Sequence, residues 1–166
     1  MEAMEINYKI TRLDKTHNRK NFDCGVEALN RYIREFVSQD EKRNLAKCYV
    51  LLDEENIVLG FYTLASSGIP IDALPEEIKS RLPRYFSVPT ISIGRLATSV
   101  SHQKMRLGET LLFDALKRMK NSEAGIYAFA VDAKDENAAA FYQKYGFIAL
   151  PDNPLSLYLP IANLSL

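Results

Sequence analysis

The feature that most constrains this chain is the stretch from Val88 to Leu112, whose pattern predicts a strand, a short polar loop and a helix. Isoleucines alternate with small hydroxyl residues over Thr90–Ile93, which is the period of a β-strand. At Gly94 the alternation shifts by one residue, because the next large apolar side chain is Leu96. A shift of phase at a glycine inside a strand is typical of a β-bulge. We therefore expect a bulged strand that leads directly into a helix.

The helix that follows has a start suited to an anion. A polar loop precedes it, and one helical face carries Leu107, Leu111, Leu112, Ala115, Leu116 and Met119. The first four N–H groups of a helix lack intrahelical partners, and with the helix dipole they attract negative charge. Gly108 lies in the first turn, and Lys104 and Arg106 add positive charge beside it. Many helices that bind nothing begin in the same way, so from spacing alone both interpretations stand.

Composition narrows the class of protein. A chain of 166 residues with 47% apolar and 25% charged residues suits a single domain, residues 1–166, with one core. Lys plus Arg equals Asp plus Glu at 21 each, so net charge favours neither a nucleic-acid partner nor a membrane, although a local basic face remains compatible. No apolar run approaches the ~20 residues of a transmembrane helix. We expect no membrane association.

The two cysteines indicate an environment in which thiols stay reduced. Cys24 and Cys48 are too few for a disulfide framework and are not spaced as metal ligands, so we expect no metal and two small buried thiols. The N-terminus shows no basic-then-apolar leader, and a cytoplasmic location follows as the expectation. His17 has no evident partner, and we expect it to face solvent.

The remaining elements give the fold class. Periodicity predicts strands at residues 6–13, 48–52, 57–64, 125–131 and 155–159, helices at 25–39 and 136–145, and a long connection at 66–84 with a helical turn at 75–79. Asp135 is placed to N-cap the last helix and Gly146 to end it. The order of elements predicts an α/β (α+β) protein, with a mixed sheet and helices on both faces.

Four motifs resemble the GNAT superfamily of acetyl-CoA-dependent N-acyltransferases. In that family's order come the strand ISIGRLAT, the loop–helix SHQKMRLGETLL, the strand IYAFAVDA and the run DENAAAFYQKYGF. The resemblance implies the GNAT fold, a mostly antiparallel twisted sheet with a bulged central strand. It also implies that amides of that strand bind the pantetheine arm of acetyl-CoA, and that the following helix start binds its pyrophosphate.

The pyrophosphate signature of the family, Q/R-x-x-G-x-G/A, maps onto Gln103, Arg106 and Gly108. Arg106 stands where the first glycine is expected, so backbone donation there requires that residue 106 need no positive φ. The guanidinium either contacts a phosphate or points to solvent. By this resemblance the cofactor contacts fall on Leu96, Ala97, Thr98, Gln103, Lys104, Arg106, Leu107, Gly108, Glu109 and Thr110.

The resemblance also suggests roles in catalysis. Tyr142 is implied to be the acid that protonates the departing thiolate, since a phenol pKa near 10 is close to that of a thiol near 8.5; alternatively it is an aromatic core residue. Arg95, on the bulge, either meets a substrate phosphate or carboxylate or pairs with Asp132. We expect His102 to be a loop residue and Asp135 to be an N-cap.

Over its whole length the chain resembles the GNAT toxins of bacterial toxin–antitoxin pairs. FDCGVEALNRYI, VPTISIGRLA, VDAKD and LPDNPLSLYLP carry this narrower resemblance. It implies acetylation of the α-amino group of aminoacyl-tRNA, a ribbon-helix-helix antitoxin as partner and, we expect, a homodimer. An α-amine titrates near 7.7–8.0, so an evident general base is not required. The alternatives are acetylation of a small amine or a protein N-terminus, and a GNAT-fold binding protein without turnover.

Overall fold

A computed structural model describes residues 7–83 and 85–164. Its seven strands are β1 (Lys9–Arg12), β2 (Lys47–Leu52), β3 (Val58–Pro70), β4 (Ser87–Thr98), β5 (Ala128–Asp132), β6 (Ile148–Leu150) and β7 (Asn153–Pro160). Its α-helices are α1 (Glu27–Arg31), α2 (Val37–Lys42), α3 (Glu76–Lys79), α4 (Leu107–Met119) and α5 (Glu136–Lys144). A π-helical segment, Tyr32–Phe36, joins α1 to α2, and a 3₁₀ segment, Val100–Met105, precedes α4.

The strands form one mixed sheet in the order β1-β2-β3-β4-β5-β7-β6. β4 and β5 are parallel, with Thr90 opposite Ala128, whereas β1–β2, β2–β3, β5–β7 and β6–β7 are antiparallel. The predicted class, an α/β protein with a mostly antiparallel mixed sheet, is confirmed. The register of β4 against β5 is defined from Thr90 to Ile93, the residue before Gly94. The bulge at Gly94 stays a prediction.

The chain divides into two compact units, each with its own packing. The first unit comprises the chain up to Leu64 together with Arg95–Ala115. Its core is built by buried side chains of β2, β3, the first helical region and the loop before that region, among them Phe22, Ile33, Val37, Cys48, Val50 and Phe61. Phe22 packs edge-on against Phe61, with ring centroids 5.5 Å apart. Full burial of each large apolar side chain contributes about 1.5–3 kcal/mol.

The second unit comprises Ala65–Gly94 and the chain from Leu116 onward. Its core cluster contains Ile69, Ile71, Leu74, Val88, Ala128 and Tyr158, so the connection after β3 packs on β4, β5 and β7. β3, β4 and α4 each contribute residues to both units. A single domain over residues 1–166 stays a prediction.

Most predicted elements are present, with differences at their ends. β3 continues to Pro70, where a strand ending at 64 was expected, and the helical region extends to Lys42. β6 was not predicted, because three residues are too short to show alternation. Ile6, assigned to the first strand, lies outside the described residues. None of the helices within the described ranges combines the length and hydropathy of a membrane span.

The expectation for His17 was wrong. The residue is only 8% exposed, because the loop at Asp14 folds around its ring and the backbone N–H of Asp14 donates to Nδ1 at 3.1 Å. The backbone of Asn18 then pairs with Ile57 in an isolated bridge, which keeps the loop against the unit. Both cysteines are buried, as expected, and they form no disulfide with each other.

Candidate active site

The predicted strand, polar loop and helix are all present. β4 ends at Thr98, the 3₁₀ turn follows, and α4 begins at Leu107. Leu107 is 3% exposed and Leu111 and Leu112 are fully buried, so the apolar stripe fixes α4 to the core. We name Val100–Thr110 the loop–helix segment. All ten residues that the resemblance assigns to the cofactor, and Arg95, lie in the first compact unit.

Arg106 does not meet the condition for backbone donation at residue 106, which was that this residue need no positive φ. Its backbone has φ 57° and ψ 30°, the left-handed conformation that favours glycine. Its carbonyl oxygen accepts the N–H of Thr110 at 3.1 Å and the Thr110 hydroxyl at 3.1 Å, so it caps the first turn of α4. Residue 106 therefore does need a positive φ, and the glycine of the family signature is replaced here at a backbone cost of about 1–2 kcal/mol.

The start of α4 has the geometry and charge of an anion-binding site. Helix geometry leaves the first-turn N–H groups, at Leu107, Gly108 and Glu109, without intrahelical partners. Lys104 and Arg106 are exposed immediately before them. The carboxylate of Glu109 lies in the same turn, where its negative charge interacts favourably with the helix dipole. Two cations and three backbone donors fit a pyrophosphate held mainly by the backbone.

Gln103 is held by protein groups. Its Nε2 donates to the carbonyl oxygen of Cys24 at 3.1 Å and, at 3.4 Å, to that of Thr98. These bonds join the loop–helix segment to the segment before α1 and to the end of β4. Neighbouring His102 accepts or donates through Nδ1 to Ser101 Oγ at 2.6 Å, which is consistent with the loop role expected for it.

Arg95 makes a contact that the sequence did not indicate. Its guanidinium carbon lies 3.6 Å from the ring centroid of Tyr32, a close cation–π arrangement. Tyr32 Oη donates to Asp40 at 2.8 Å, and burial, followed by this hydrogen bond, raises the pKa of the phenol well above its usual range. Asp132, the proposed acidic partner of Arg95, accepts the hydroxyl of Ser156 at 2.6 Å. No periodicity connects residues so distant in sequence, so this pair was missed.

Tyr142 lies on α5 in the second compact unit. It is 7% exposed, and its ring packs edge-on against Phe141 and Phe147 with centroids 5.1 and 5.4 Å away. Burial raises the pKa of the phenol to about 12, so it carries its proton throughout the neutral range. The residue is therefore an aromatic core residue and also a protonated donor. Asp135 Oδ1 accepts the N–H of Ala138 at 2.8 Å, which confirms the predicted N-cap.

One polar group near the loop–helix segment escaped the sequence analysis. Asn30, on α1, is 3% exposed and bonds to both Asp23 and Cys24. The motif FDCGVEALNRYI contains all three residues, but its spacing alone does not show that the amide turns back onto the preceding loop. Within residues 7–83 and 85–164, no group of three or more His, Cys, Asp or Glu is arranged to hold a metal.

Comparison with known families and proteins shows that the chain is similar to acetyltransferases. The model of the acetyltransferase (GNAT) family matches residues 10–147. A tRNA-acetylating toxin of Mycobacterium tuberculosis is 30% identical over 150 residues, which cover 89% of this chain and 89% of that protein. A probable toxin TacT of Sinorhizobium fredii is 28% identical over 158 residues, covering 89% of this chain and 87% of that protein.

Solved structures are similar over nearly the full length. AtaT complexed with acetyl-methionyl-tRNAfMet has a TM-score of 0.88 and 31% identity, covering 94% of this chain and 96% of that one. AtaTR bound with AcCoA has a TM-score of 0.81 and 31% identity over 93% and 94%. A tyrosine-to-phenylalanine variant of AtaT, bound to the C-terminus of the antitoxin AtaR, has a TM-score of 0.78 and 28% identity over 93% and 94%.

Proposed function

This chain belongs to the acetyltransferase (GNAT) family, and from that premise we propose that it transfers the acetyl group of acetyl-CoA to the α-amino group of aminoacyl-tRNA. The observation that carries the proposal is the helix start at Leu107, with its left-handed cap and flanking cations, in a chain similar over its length to a toxin complexed with acetyl-methionyl-tRNA. An acetylated α-amine cannot serve as a nucleophile in peptide-bond formation, so the reaction blocks translation.

Acetyl-CoA is the co-substrate. The backbone N–H groups of Leu107, Gly108 and Glu109 donate to its pyrophosphate, and the exposed cations Lys104 and Arg106 add electrostatic attraction. Leu107 contributes through its N–H alone, because its side chain is buried in the core. The amides of Leu96, Ala97 and Thr98 at the end of β4 are the donors for the pantetheine arm and the thioester carbonyl.

The reaction is attack of a neutral amine on a thioester carbonyl. The C–N bond forms, negative charge moves to the carbonyl oxygen, and collapse of the tetrahedral species breaks the C–S bond. Backbone donors at Leu96 and Ala97 stabilise the oxyanion; loss of one such donor typically costs ~2.7–4 kcal/mol. About a tenth of an α-amine with a pKa of 7.7–8.0 is neutral at pH 7, so the acceptor itself supplies the nucleophile.

Tyr142 is the acid in this scheme. Its phenol remains protonated at neutral pH, since burial raises its pKa to about 12. Proton transfer from this phenol to a thiol with the ordinary pKa near 8.5 is uphill, and desolvation of the leaving thiolate raises the thiol pKa and narrows the difference between the two groups. The phenolic proton passes to sulfur, the new amide nitrogen releases its extra proton to solvent, and the phenolate takes a proton back from solvent after product leaves.

The biological setting follows from the substrate and the relatives. Charged tRNA is a cytoplasmic substrate, and we place the protein there. The AtaT structure with antitoxin AtaR supports a protein partner that restrains the activity, and we propose a ribbon-helix-helix antitoxin in that role. We expect a homodimer, which light scattering at known concentration tests.

The experiment uses labelled acetyl-CoA with total charged tRNA and, in parallel, a panel of free amines and N-terminal peptides. Tyr142→Phe keeps the ring and removes the hydroxyl, and Tyr145→Phe is the matched control, because it makes the same change on the same helix region. We expect label on charged tRNA with wild type and with Tyr145→Phe, and a fall in kcat of about 10²–10⁴-fold with Tyr142→Phe. Label on free amines alone would refute the tRNA assignment. Equal rates in both variants would refute Tyr142 as the acid.

A further inference from the structure

A buried amide organises the turn on which the loop–helix segment rests. Asn30 Oδ1 accepts the backbone N–H of Cys24 at 2.8 Å, and its Nδ2 donates to Asp23 Oδ1 at 3.0 Å. A weaker third contact, 3.4 Å long, reaches Glu27 Oε2. With 3% exposure, the side chain has its acceptor and its donor both used on one dipeptide. The orientation of the peptide between Asp23 and Cys24 is therefore set by Asn30.

The turn is tightened by Gly25. Asp23 Oδ1 also accepts the N–H of Gly25 at 2.9 Å, and Gly25 has φ +86°. The N–H of Gly25 and then the amide of Asn30 lower the pKa of the Asp23 carboxyl, so it is ionised at neutral pH. A Cβ at residue 25 would stand 3.4 Å from Val100 Cγ1, so the turn packs directly on the start of the loop–helix segment.

Two carbonyl groups of this turn hold the loop–helix segment. The carbonyl oxygen of Asp23 accepts the N–H of Val100 at 2.8 Å, and that of Cys24 accepts Gln103 Nε2 at 3.1 Å. These bonds fix both ends of the run from Val100 to Gln103, immediately before the strained Arg106 and the helix start. The carbonyl of Asp23 belongs to the peptide whose N–H binds Asn30 directly. The carbonyl of Cys24 belongs to the next peptide, whose N–H on Gly25 binds the Asp23 carboxylate that Asn30 holds.

We propose that Asn30 is a positioning residue for acetyl-CoA binding, acting through the Asp23–Gly25 turn on the loop–helix segment. It does not touch the ligand. Its function is to hold Val100 and Gln103 so that the N–H groups at the start of α4 converge on the pyrophosphate. The side chain of Gln103 likewise acts through its bond to Cys24. The N–H groups in the first turn of α4, at Leu107, Gly108 and Glu109, contact the ligand. The inference rests on the proposed function only in taking acetyl-CoA as the ligand of this segment.

Asn30→Asp isolates the proposed role. The variant keeps the acceptor for Cys24 but replaces the donor with a carboxylate oxygen that faces the carboxylates of Asp23 and Glu27. The carboxylates of Asp23 and Glu27 and the burial of the site raise the pKa of the new carboxyl, whereas the guanidinium of Arg34, which donates to the carbonyl oxygen of residue 30 at 3.2 Å and pairs with Glu27, lowers it. Lowering the pH protonates the carboxyl and restores a donor toward Asp23. Gln39→Glu is the matched control, because it makes the same amide-to-carboxylate change on the exposed surface of α2.

The readout is coenzyme A affinity by calorimetry, at pH 8 and pH 5.5, normalised to wild type at each pH. We expect Asn30→Asp to bind at least about tenfold more weakly at pH 8, equivalent to about 1.4 kcal/mol, and within about twofold of wild type at pH 5.5. KM for acetyl-CoA rises correspondingly, while kcat at saturating acetyl-CoA stays within about twofold. Gln39→Glu binds like wild type at both pH values.

A second variant protects the test against misfolding. Gln103→Met changes an exposed side chain, removes the donor to Cys24 and weakens coenzyme A binding in the same way. Both residues act through one turn, so their effects should not multiply. We expect the double variant to bind coenzyme A at most about twofold more weakly than the more strongly affected single variant. Multiplying effects, or an Asn30→Asp affinity equal to wild type at pH 8, would overturn the inference. So would a loss that persists at pH 5.5.

The outcomes also separate the two proposals. Wild type that binds coenzyme A but acetylates no charged tRNA would overturn the proposed substrate and leave Asn30 to be judged on affinity alone. Wild type that binds no coenzyme A would overturn both.

Discussion

Arg106→Gly is the substitution whose outcome follows most directly from the backbone. Residue 106 has φ 57° and ψ 30° and is exposed, so its side chain has little packing to lose. A non-glycine residue in this conformation costs roughly 1–2 kcal/mol. Glycine removes that cost but makes the unfolded chain more flexible, which costs about 0.4–1 kcal/mol. We expect a net gain of about 1 kcal/mol in the free energy of unfolding, which raises Tm by about 2–4 °C in a chain of this size.

Two controls separate the backbone effect from loss of the guanidinium. Arg106→Ala removes the same charge but keeps a Cβ, and we expect its stability to lie within about 0.5 kcal/mol of wild type. Asn56→Gly changes another residue with positive φ, 61°, but asparagine tolerates this conformation, so the gain there is smaller. Chemical denaturation of the three variants measures the differences. An Arg106→Gly variant no more stable than Arg106→Ala would refute the reasoning.

Arg106→Gly and Arg106→Ala also test whether the positive charge of Arg106 contributes to coenzyme A binding. Both lose its charge beside the helix start, where a partly screened interaction with an anion contributes up to about 1 kcal/mol. We expect each to bind coenzyme A about two- to fivefold more weakly at low salt, with the difference from wild type shrinking as ionic strength rises. Unchanged affinity in both variants would show that the guanidinium faces solvent.

Three further predictions concern packing and protonation. In Gly60→Ala the new Cβ would lie 2.9 Å from Leu111 Cδ1 and 3.1 Å from a backbone oxygen, so denaturation should show a loss of about 1–3 kcal/mol; Gly125→Ala, with nothing within 4 Å, should lose none. Leu111→Ala, at a fully buried site, should lose about 2–5 kcal/mol, and Leu45→Ala, at 60% exposure, should stay within about 0.5 kcal/mol of wild type. An ultraviolet difference titration between wild type and Tyr142→Phe should show no phenolate from Tyr142 up to about pH 11, because burial raises its pKa to about 12; a phenolate signal near the ordinary value of 10 would contradict this.

Local patterns were sufficient for the elements that surround the site. Alternation over Thr90–Ile93 and the apolar stripe from Leu107 to Met119 located β4 and α4 within a residue or two of their observed ends. The N-cap at Asp135 was also predictable, because capping depends on groups only three residues apart. Where a pattern was too short, as at β6, or where tertiary pairing extended a strand, as in β3 to Pro70, prediction failed.

The polar contacts of the site were not predictable in the same way. The stacking of Arg95 on Tyr32, the bond from Gln103 to Cys24 and the burial of His17 each join groups whose proximity depends on how segments meet in space. The residue types were noticed, but their partners were not. A side chain with several possible hydrogen-bonding partners shows its actual one only when the backbone around it is fixed.

The sequence by itself determined the order of elements apart from β6, the α/β class and the family, because these depend on periodicity and on motifs of adjacent residues. Tertiary structure decided the conformation of Arg106 and the turn at Asp23–Gly25 that supports the loop–helix segment. A left-handed residue that is not glycine has no periodic signal, and persists only because surrounding contacts outweigh its backbone cost. The likeness to acetyltransferases was therefore readable from the chain, whereas the means by which this chain holds its helix start required the folded structure.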